Sequence, residues 1–196
     1  FNGCSSLTQI TIPSSVTSIG DYVFSRCSSL TQISIPSSVT SIGEGAFSGC
    51  SSLTQISIPS SVKKIGNYAF SGCSSLTQIS IPSSVTSIGN SVFDGIKSLI
   101  ITGNIQMIPN NMFNGCSSLT QITIPSSVTS IREGSFRGCS SLTQISIPSS
   151  VISIGEGAFD GIKSLIITGN IQMIPNDMFN GCSSLTQITI PSSVTS

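Results

Sequence analysis

Residues 47–69 read FSGCSSLTQISIPSSVKKIGNYA, and the pattern restarts at the next phenylalanine. All nine phenylalanines of the 196-residue chain belong to this series: Phe1, Phe24, Phe47, Phe70, Phe93, Phe113, Phe136, Phe159 and Phe179. Their spacings are 23, 23, 23, 23, 20, 23, 23 and 20 residues, and the unit from Phe179 runs 18 residues to Ser196. A period of roughly 20–29 residues along a whole chain marks a solenoid, in which each unit forms one coil and buries its apolar side against its neighbours. The two short units, from Phe93 and Phe159, both read FDGIKSLIITGNIQMIPN. Residues 93–130 and 159–196 match at every position except Asn111 versus Asp177, which superimposes a longer period of 66. No linker or composition shift interrupts the series. The chain therefore reads as one domain, 1–196, of about nine coils.

Within a coil, Gln9-Ile10-Thr11-Ile12 alternates polar and apolar, the period-2 signal of a half-buried strand. Pro13 ends that strand by removing a donor, and Ser14 and Ser15 turn the chain. Val16 to Ile19 is a second short extended segment on the next side of the coil. A glycine follows, then an acid or Asn column (Asp21, Glu44, Asn67, Asn90, Glu133, Glu156) read as capping the unpaired N–H groups of a short helical turn. Pro109 and Pro175 take the glycine place in the short units, so that column must have negative φ. After Phe, the glycines Gly3, Gly49, Gly72, Gly95, Gly115, Gly138, Gly161 and Gly181 fit a left-handed stop, with Arg26 as the exception. The interior of one coil then comprises Leu7, Ile10, Ile12, Val16, Ile19, Val23, Phe24 and Cys27.

Units such as CSSLTQISIPSSVTSIGEGAF resemble the BspA-like class of leucine-rich repeats, found in surface antigens of bacteria and microbial eukaryotes. The resemblance covers the full chain. It implies a curved, right-handed α/β solenoid with a parallel β-sheet on one face and short helical turns opposite. It also implies adhesion or recognition at a cell surface or after secretion, with a protein or glycan partner such as host extracellular matrix. The general pattern L-x-x-L-x-L-x-x-N-x-L matches Leu7, Ile10 and Ile12 but requires Asn where this chain has Ser15. Only the short units place Asn nearby, at Asn104 and Asn170, so Pro-Ser-Ser must satisfy the corner differently.

Composition narrows the function. Seven Lys plus Arg balance seven Asp plus Glu, 7% of residues are charged, and there is neither His nor Trp. Phosphate neutralisation along a nucleic acid needs a basic stripe that seven dispersed cations at zero net charge do not make. No apolar run approaches the roughly 20 residues that span a bilayer, so this segment inserts into no membrane directly. Triads and the common zinc sites lose their usual histidine, and no column supplies acid, base and nucleophile together; the reading is non-enzymatic, with no cofactor or metal. Phe1 starts inside a turn and Ser196 stops inside the second extended segment, without polar capping units, so the segment reads as part of a longer array.

All seven cysteines lie in one column (Cys4, Cys27, Cys50, Cys73, Cys116, Cys139, Cys182), which the short units fill with Ile96 and Ile162. A site that accepts Ile is apolar, so the column reads as buried free thiols, with bridges or a metal as the minor alternative. Glu133, Glu156 and Asp177 sit at related places on successive coils; capping is the main reading and a weak calcium site the other. Lys63 and Lys64 read as a solvated pair.

The outward face of the strands is the candidate partner surface. It carries Gln9, Gln32, Gln55, Gln78, Gln121, Gln144 and Gln187 beside Thr11, Ser34, Ser57, Ser80, Thr123, Ser146 and Thr189. In the short units Ile100 and Ile166 take outward Ser or Thr places, and Met107 and Met173 replace an outward Ser. Paired apolar spots on a polar field have the character of interface anchors. The competing reading is a structural spacer, or a solenoid stacking end to end, with no specific ligand. Regular Thr also brings ice-binding lattices to mind, but the strand has Gln-Ile-Thr rather than paired outward Thr.

Overall fold

The computed structural model describes residues 1–96, 98–102, 105–169, 174, 178–179 and 182–194. From the third coil on, each coil contributes a strand to one continuous parallel sheet. Gln55–Ser57, Gln78–Ser80, Ser98–Thr102, Gln121–Thr123, Gln144–Ile147, Ser164–Gly169 and Gln187–Thr189 form seven strands in chain order. A single bridge between Thr11 and Ser34 continues the row toward the first coils. The second extended segment forms its own parallel ladder: Ser18–Ile19, Ser41–Ile42, Lys64–Ile65 and Ser87–Ile88 make one sheet, and Met107–Ile108, Ser130–Ile131 and Ser153–Ile154 another.

Ordinary coils pair like with like, Gln55 opposite Gln78 and Ile56 opposite Ile79. The short coil does not. Ile100 lies opposite Gln78 on one side and opposite Thr123 on the other, while Gln121 faces Ser98. The first sheet therefore steps by two residues there. Ile166 repeats the step between Gln144 and Thr189. Side chains alternate with period 2, so a two-residue step keeps Leu99 and Ile101 in the core and Ile100 outside, whereas a one-residue step would invert them.

The interior is one apolar cluster running the length of the array. The nine phenylalanine rings form a single column with centroids 5.1–6.4 Å apart. Counterparts of the first coil's interior residues (Leu30, Ile33, Ile35, Val39, Ile42, Ala46, Phe47 and Cys50) are all buried. In the first coil itself Leu7, Ile10, Ile12, Val16 and Val23 are only partly buried, because just one described coil packs on them.

The wall opposite the first sheet corrects the expectation of helical turns: no described residue is helical, so the α/β assignment gives way to a parallel β-solenoid. The wall is a run of turns closed by bonds such as Ser25 N–H to Tyr22 O (3.1 Å) and Cys27 N–H to Phe24 O (3.2 Å). A helix needs consecutive right-handed residues, and here two left-handed ones fall four apart in each turn from Tyr22 and Arg26 to Gly157 and Gly161. Arg26 and Gly3, Gly49, Gly72, Gly95, Gly115, Gly138 and Gly161 have φ of 59–81°, as the left-handed stop requires; Gly181 lies outside the described residues. A second left-handed column, missed in the sequence, holds Tyr22, Gly45, Tyr68, Ser91, Asn111, Gly134 and Gly157, with φ of 49–60°. From this wall N–H groups reach the next coil, Tyr22 to Glu44 O and Phe24 to Ala46 O at 2.8 Å each.

The glycine before the acid column has negative φ, as proline in that column demanded. At Gly66 the reason is contact. A Cβ on Gly66 would lie 2.5 Å from the Glu44 nitrogen and 2.6 Å from the Gly43 carbonyl carbon.

Candidate functional site

The polar face rests on three sets of coil-to-coil bonds that fix its lattice. At the corner, the second serine of Pro-Ser-Ser donates to the preceding coil's valine carbonyl: Ser38 to Val16 O and Ser61 to Val39 O at 2.6 Å, and Ser150 to Val128 O at 2.7 Å. This serine row does the work of the missing Asn ladder. The capping reading of the acid column needs correction in its direction. Asp21 Oδ1 accepts the N–H of Glu44 (2.8 Å) and Asn67 Oδ1 that of Asn90 (2.9 Å), each in the following coil rather than in its own turn. Glu133 and Glu156 are exposed, and Asp177 lies outside the described residues.

Cysteine supplies the third set. Cys27, Cys50, Cys73, Cys116 and Cys139 are buried free thiols, Cys4 is exposed and Cys182 half-buried. Cys50 Sγ donates to Phe24 O (3.1 Å) and Cys73 Sγ to Phe47 O (3.2 Å), so each thiol ties its coil to the previous phenylalanine. Burial pushes Cys50 up to about 12 and raises Cys27 and Cys73 as well, because a thiolate in this apolar column would lose its hydration. A thiol so perturbed is inert as a nucleophile at neutral pH.

Upon this frame Gln32, Ser34, Gln55, Ser57, Gln78, Gln121, Thr123, Gln144 and Ser146 are exposed and Ser80 is half-buried, all on the first sheet side. Over the first four coils, Gln9, Gln32, Gln55 and Gln78 line one side of a shallow trough of about 550 Å³, and Thr11, Ser34, Ser57 and Ser80 the other. No charged side chain lines it. The two-residue step divides the glutamine row, because Ile100 continues Gln55 and Gln78, and Ile166 continues Gln121 and Gln144.

Ile100 is 52% exposed and Ile166 45% exposed, and both stand on the first sheet, as the sequence placed them. Met107 is also exposed and lies opposite Ser130, but in the second sheet. The apolar positions of one short coil therefore do not share a face, and Met173 lies outside the described residues. Sequence reasoning passed over Ile152, 71% exposed in the column held elsewhere by Thr17, Thr40, Lys63, Thr86, Gln106 and Thr129. It also missed Tyr22 and Tyr68, exposed on the turn wall, where the Tyr22 hydroxyl donates to the Glu44 carboxylate. That bond raises the Tyr22 pKa. Lys63 and Lys64 are both exposed on the second sheet side.

Parallel coils joined by in-register ladders, with a polar sheet face outside and an aromatic column inside, define a leucine-rich-repeat scaffold of the kind typical of protein-interaction and surface proteins. The family model for the BspA type leucine rich repeat region matches residues 1–116 and 94–196, and the chain belongs to that family. Among solved structures, it is 32% identical to a leucine-rich repeat protein from Bacteroides ovatus ATCC 8483, with a TM-score of 0.59. That match covers 99% of this chain and 63% of the other, so the chain spans less than two thirds of that relative. A leucine-rich repeat protein from T. pallidum is 31% identical over 79% of this chain and 76% of its own, with a TM-score of 0.62. No curated protein matches the sequence.

Proposed function

We propose that the chain is a non-catalytic recognition scaffold of the cell surface or the secreted fraction, presenting its first sheet to a protein or glycan partner. The observation that carries this reading is the neutral lattice of exposed Gln, Ser and Thr side chains, repeated from coil to coil on a backbone that hydrogen bonds hold in register. Such a lattice makes many weak, regularly spaced hydrogen bonds. With no charged side chain lining the trough over the first four coils, specificity there comes from spacing and shape rather than electrostatic steering. Ile100 and Ile166 supply apolar points three coils apart, where desolvation adds affinity. The surface location rests on family membership.

The test is capture of the chain by immobilised extracellular-matrix proteins and glycans. Gln55→Glu with Gln78→Glu places two charges on the face without touching the core, and Ile100→Ser with Ile166→Ser removes the apolar points. A loss of capture of about tenfold or more in either folded double variant, with Lys63→Glu on the second sheet unchanged, supports the reading. Capture indifferent to the first sheet, or absent for the wild-type chain, rejects it in favour of a spacer.

A further inference from the structure

The second sheet is closed at the boundaries between Ser18–Ile19, Ser41–Ile42, Lys64–Ile65 and Ser87–Ile88, and again between Met107–Ile108, Ser130–Ile131 and Ser153–Ile154. Between Ile88 and Met107 it is broken. Two features of the short coil account for the break. At closed boundaries the residue after Ile donates its N–H to the preceding Ile carbonyl: Gly43 to Ile19, Gly66 to Ile42, Gly89 to Ile65, Arg132 to Ile108 and Gly155 to Ile131, at 2.8–2.9 Å. Pro109 occupies that place in the short coil and has no N–H to give Ile88. The short unit also lacks Pro-Ser-Ser, and so lacks the serine that elsewhere bonds the preceding valine carbonyl.

The core records the consequence. Val62 is fully buried and Ile65 is 1% exposed, but their counterparts at the break, Val85 and Ile88, are only partly buried. The other sides of the coil stay joined. Gln78, Ile79 and Ser80 pair with Ile100, Ile101 and Thr102, and Ser91 Oγ donates to Asn114 O at 2.8 Å on the turn wall. Phe93 and Phe113 remain stacked at 5.5 Å, yet their planes differ by 25°, against 2–14° in the four pairs before them.

We propose that this boundary is a one-sided joint: the unbroken first sheet acts as the leaf of a hinge, and the array flexes by opening and closing on the second-sheet side. Motion there tilts the glutamine rows on either side of Ile100 relative to each other without unfolding a coil. The joint is a property of the scaffold and holds whether or not the first sheet has a partner.

Hydrogen–deuterium exchange of the intact chain tests it without a ligand. The amides of Met107 and Ile108 exchange at least about tenfold faster than those of Ser41, Ile42, Ser130 and Ile131, while the Gln121–Thr123 strand exchanges like other strands of the first sheet. Equal protection at the two groups of second-sheet amides overturns the joint. Pro109→Gly returns a donor for Ile88, and exchange at Met107 and Ile108 slows severalfold. Unchanged exchange in a folded Pro109→Gly protein overturns the assignment of the joint to the missing donor.

Discussion

Replacing Phe70 by alanine strikes the aromatic column in its buried middle. The ring is fully buried, 5.4 Å from Phe47 with planes 2° apart and 5.9 Å from Phe93 with planes 9° apart. Phe→Ala in a closed core costs about 3–5 kcal/mol, made up of lost transfer free energy and the cavity left behind. Here the cavity cannot collapse, because Phe70 N–H bonded to Val92 O (3.0 Å) and Phe47 N–H bonded to Ala69 O (2.8 Å) hold the coils at fixed spacing. Two ring contacts, each worth about 0.5–1.5 kcal/mol beyond area, are lost together. The expected cost is therefore at the upper end, about 4–5 kcal/mol. Phe1 is the internal control. It is 62% exposed, with a single neighbouring ring at 5.5 Å, and Phe1→Ala costs about 1 kcal/mol or less. Urea unfolding followed by far-UV circular dichroism gives both values, and exchange of the flanking coils locates the damage, since each coil touches only its neighbours. Equal small losses for the two variants, below about 1 kcal/mol, would refute the column as the source of stability.

Other outcomes follow from the coil-to-coil bonds. Ser61→Ala leaves Val39 O without its 2.6 Å donor and lowers stability by about 1–2 kcal/mol in the same urea assay. Gly66→Ala drives a Cβ to 2.5 Å from the Glu44 nitrogen and costs at least about 2–3 kcal/mol, whereas Arg26→Gly relieves a left-handed arginine at φ 59° and gains about 0.5–1 kcal/mol. Iodoacetamide at neutral pH modifies Cys4 rapidly and Cys27, Cys50, Cys73, Cys116 and Cys139 only after unfolding, read by peptide mass. Cys50 binds its proton more tightly folded than unfolded, so its contribution is complete below about pH 8.5 and is lost as pH rises from there toward about 12, at up to about 1.4 kcal/mol per pH unit.

The sequence carried the fold because the repeat is exact enough for columns to be read directly. Nine phenylalanines, one at the head of each unit, announced one stack, and the Gln-Ile-Ser/Thr-Ile alternation gave the strand faces, including Ile100 outside between Leu99 and Ile101. The helical turns were misread because only one left-handed column is rich in glycine. Tyr22, Tyr68 and Ser91 conceal the other, although Gly45, Asn111, Gly134 and Gly157 in the same column were a usable signal. Ser61 was visible as a turn residue, but its bond to Val39 spans 22 residues and exists only once coils stack. Met107 shows the limit of a one-dimensional register: it does replace an outward serine, but on the second sheet, around a corner from Ile100. The face proposed for recognition is legible as a lattice, while the identity of a partner is not written in any single column, because every member is a neutral side chain of broad hydrogen-bonding capacity.

The arrangement of the rings tests the solenoid most directly. Phenylalanine-specific labelling with ring-to-ring nuclear Overhauser measurements is expected to connect Phe47 to Phe70, Phe70 to Phe93 and Phe93 to Phe113 in one unbranched chain, at the centroid distances of 5.4, 5.9 and 5.5 Å. Contacts that skip a coil, or rings that fall into separate groups, would contradict it.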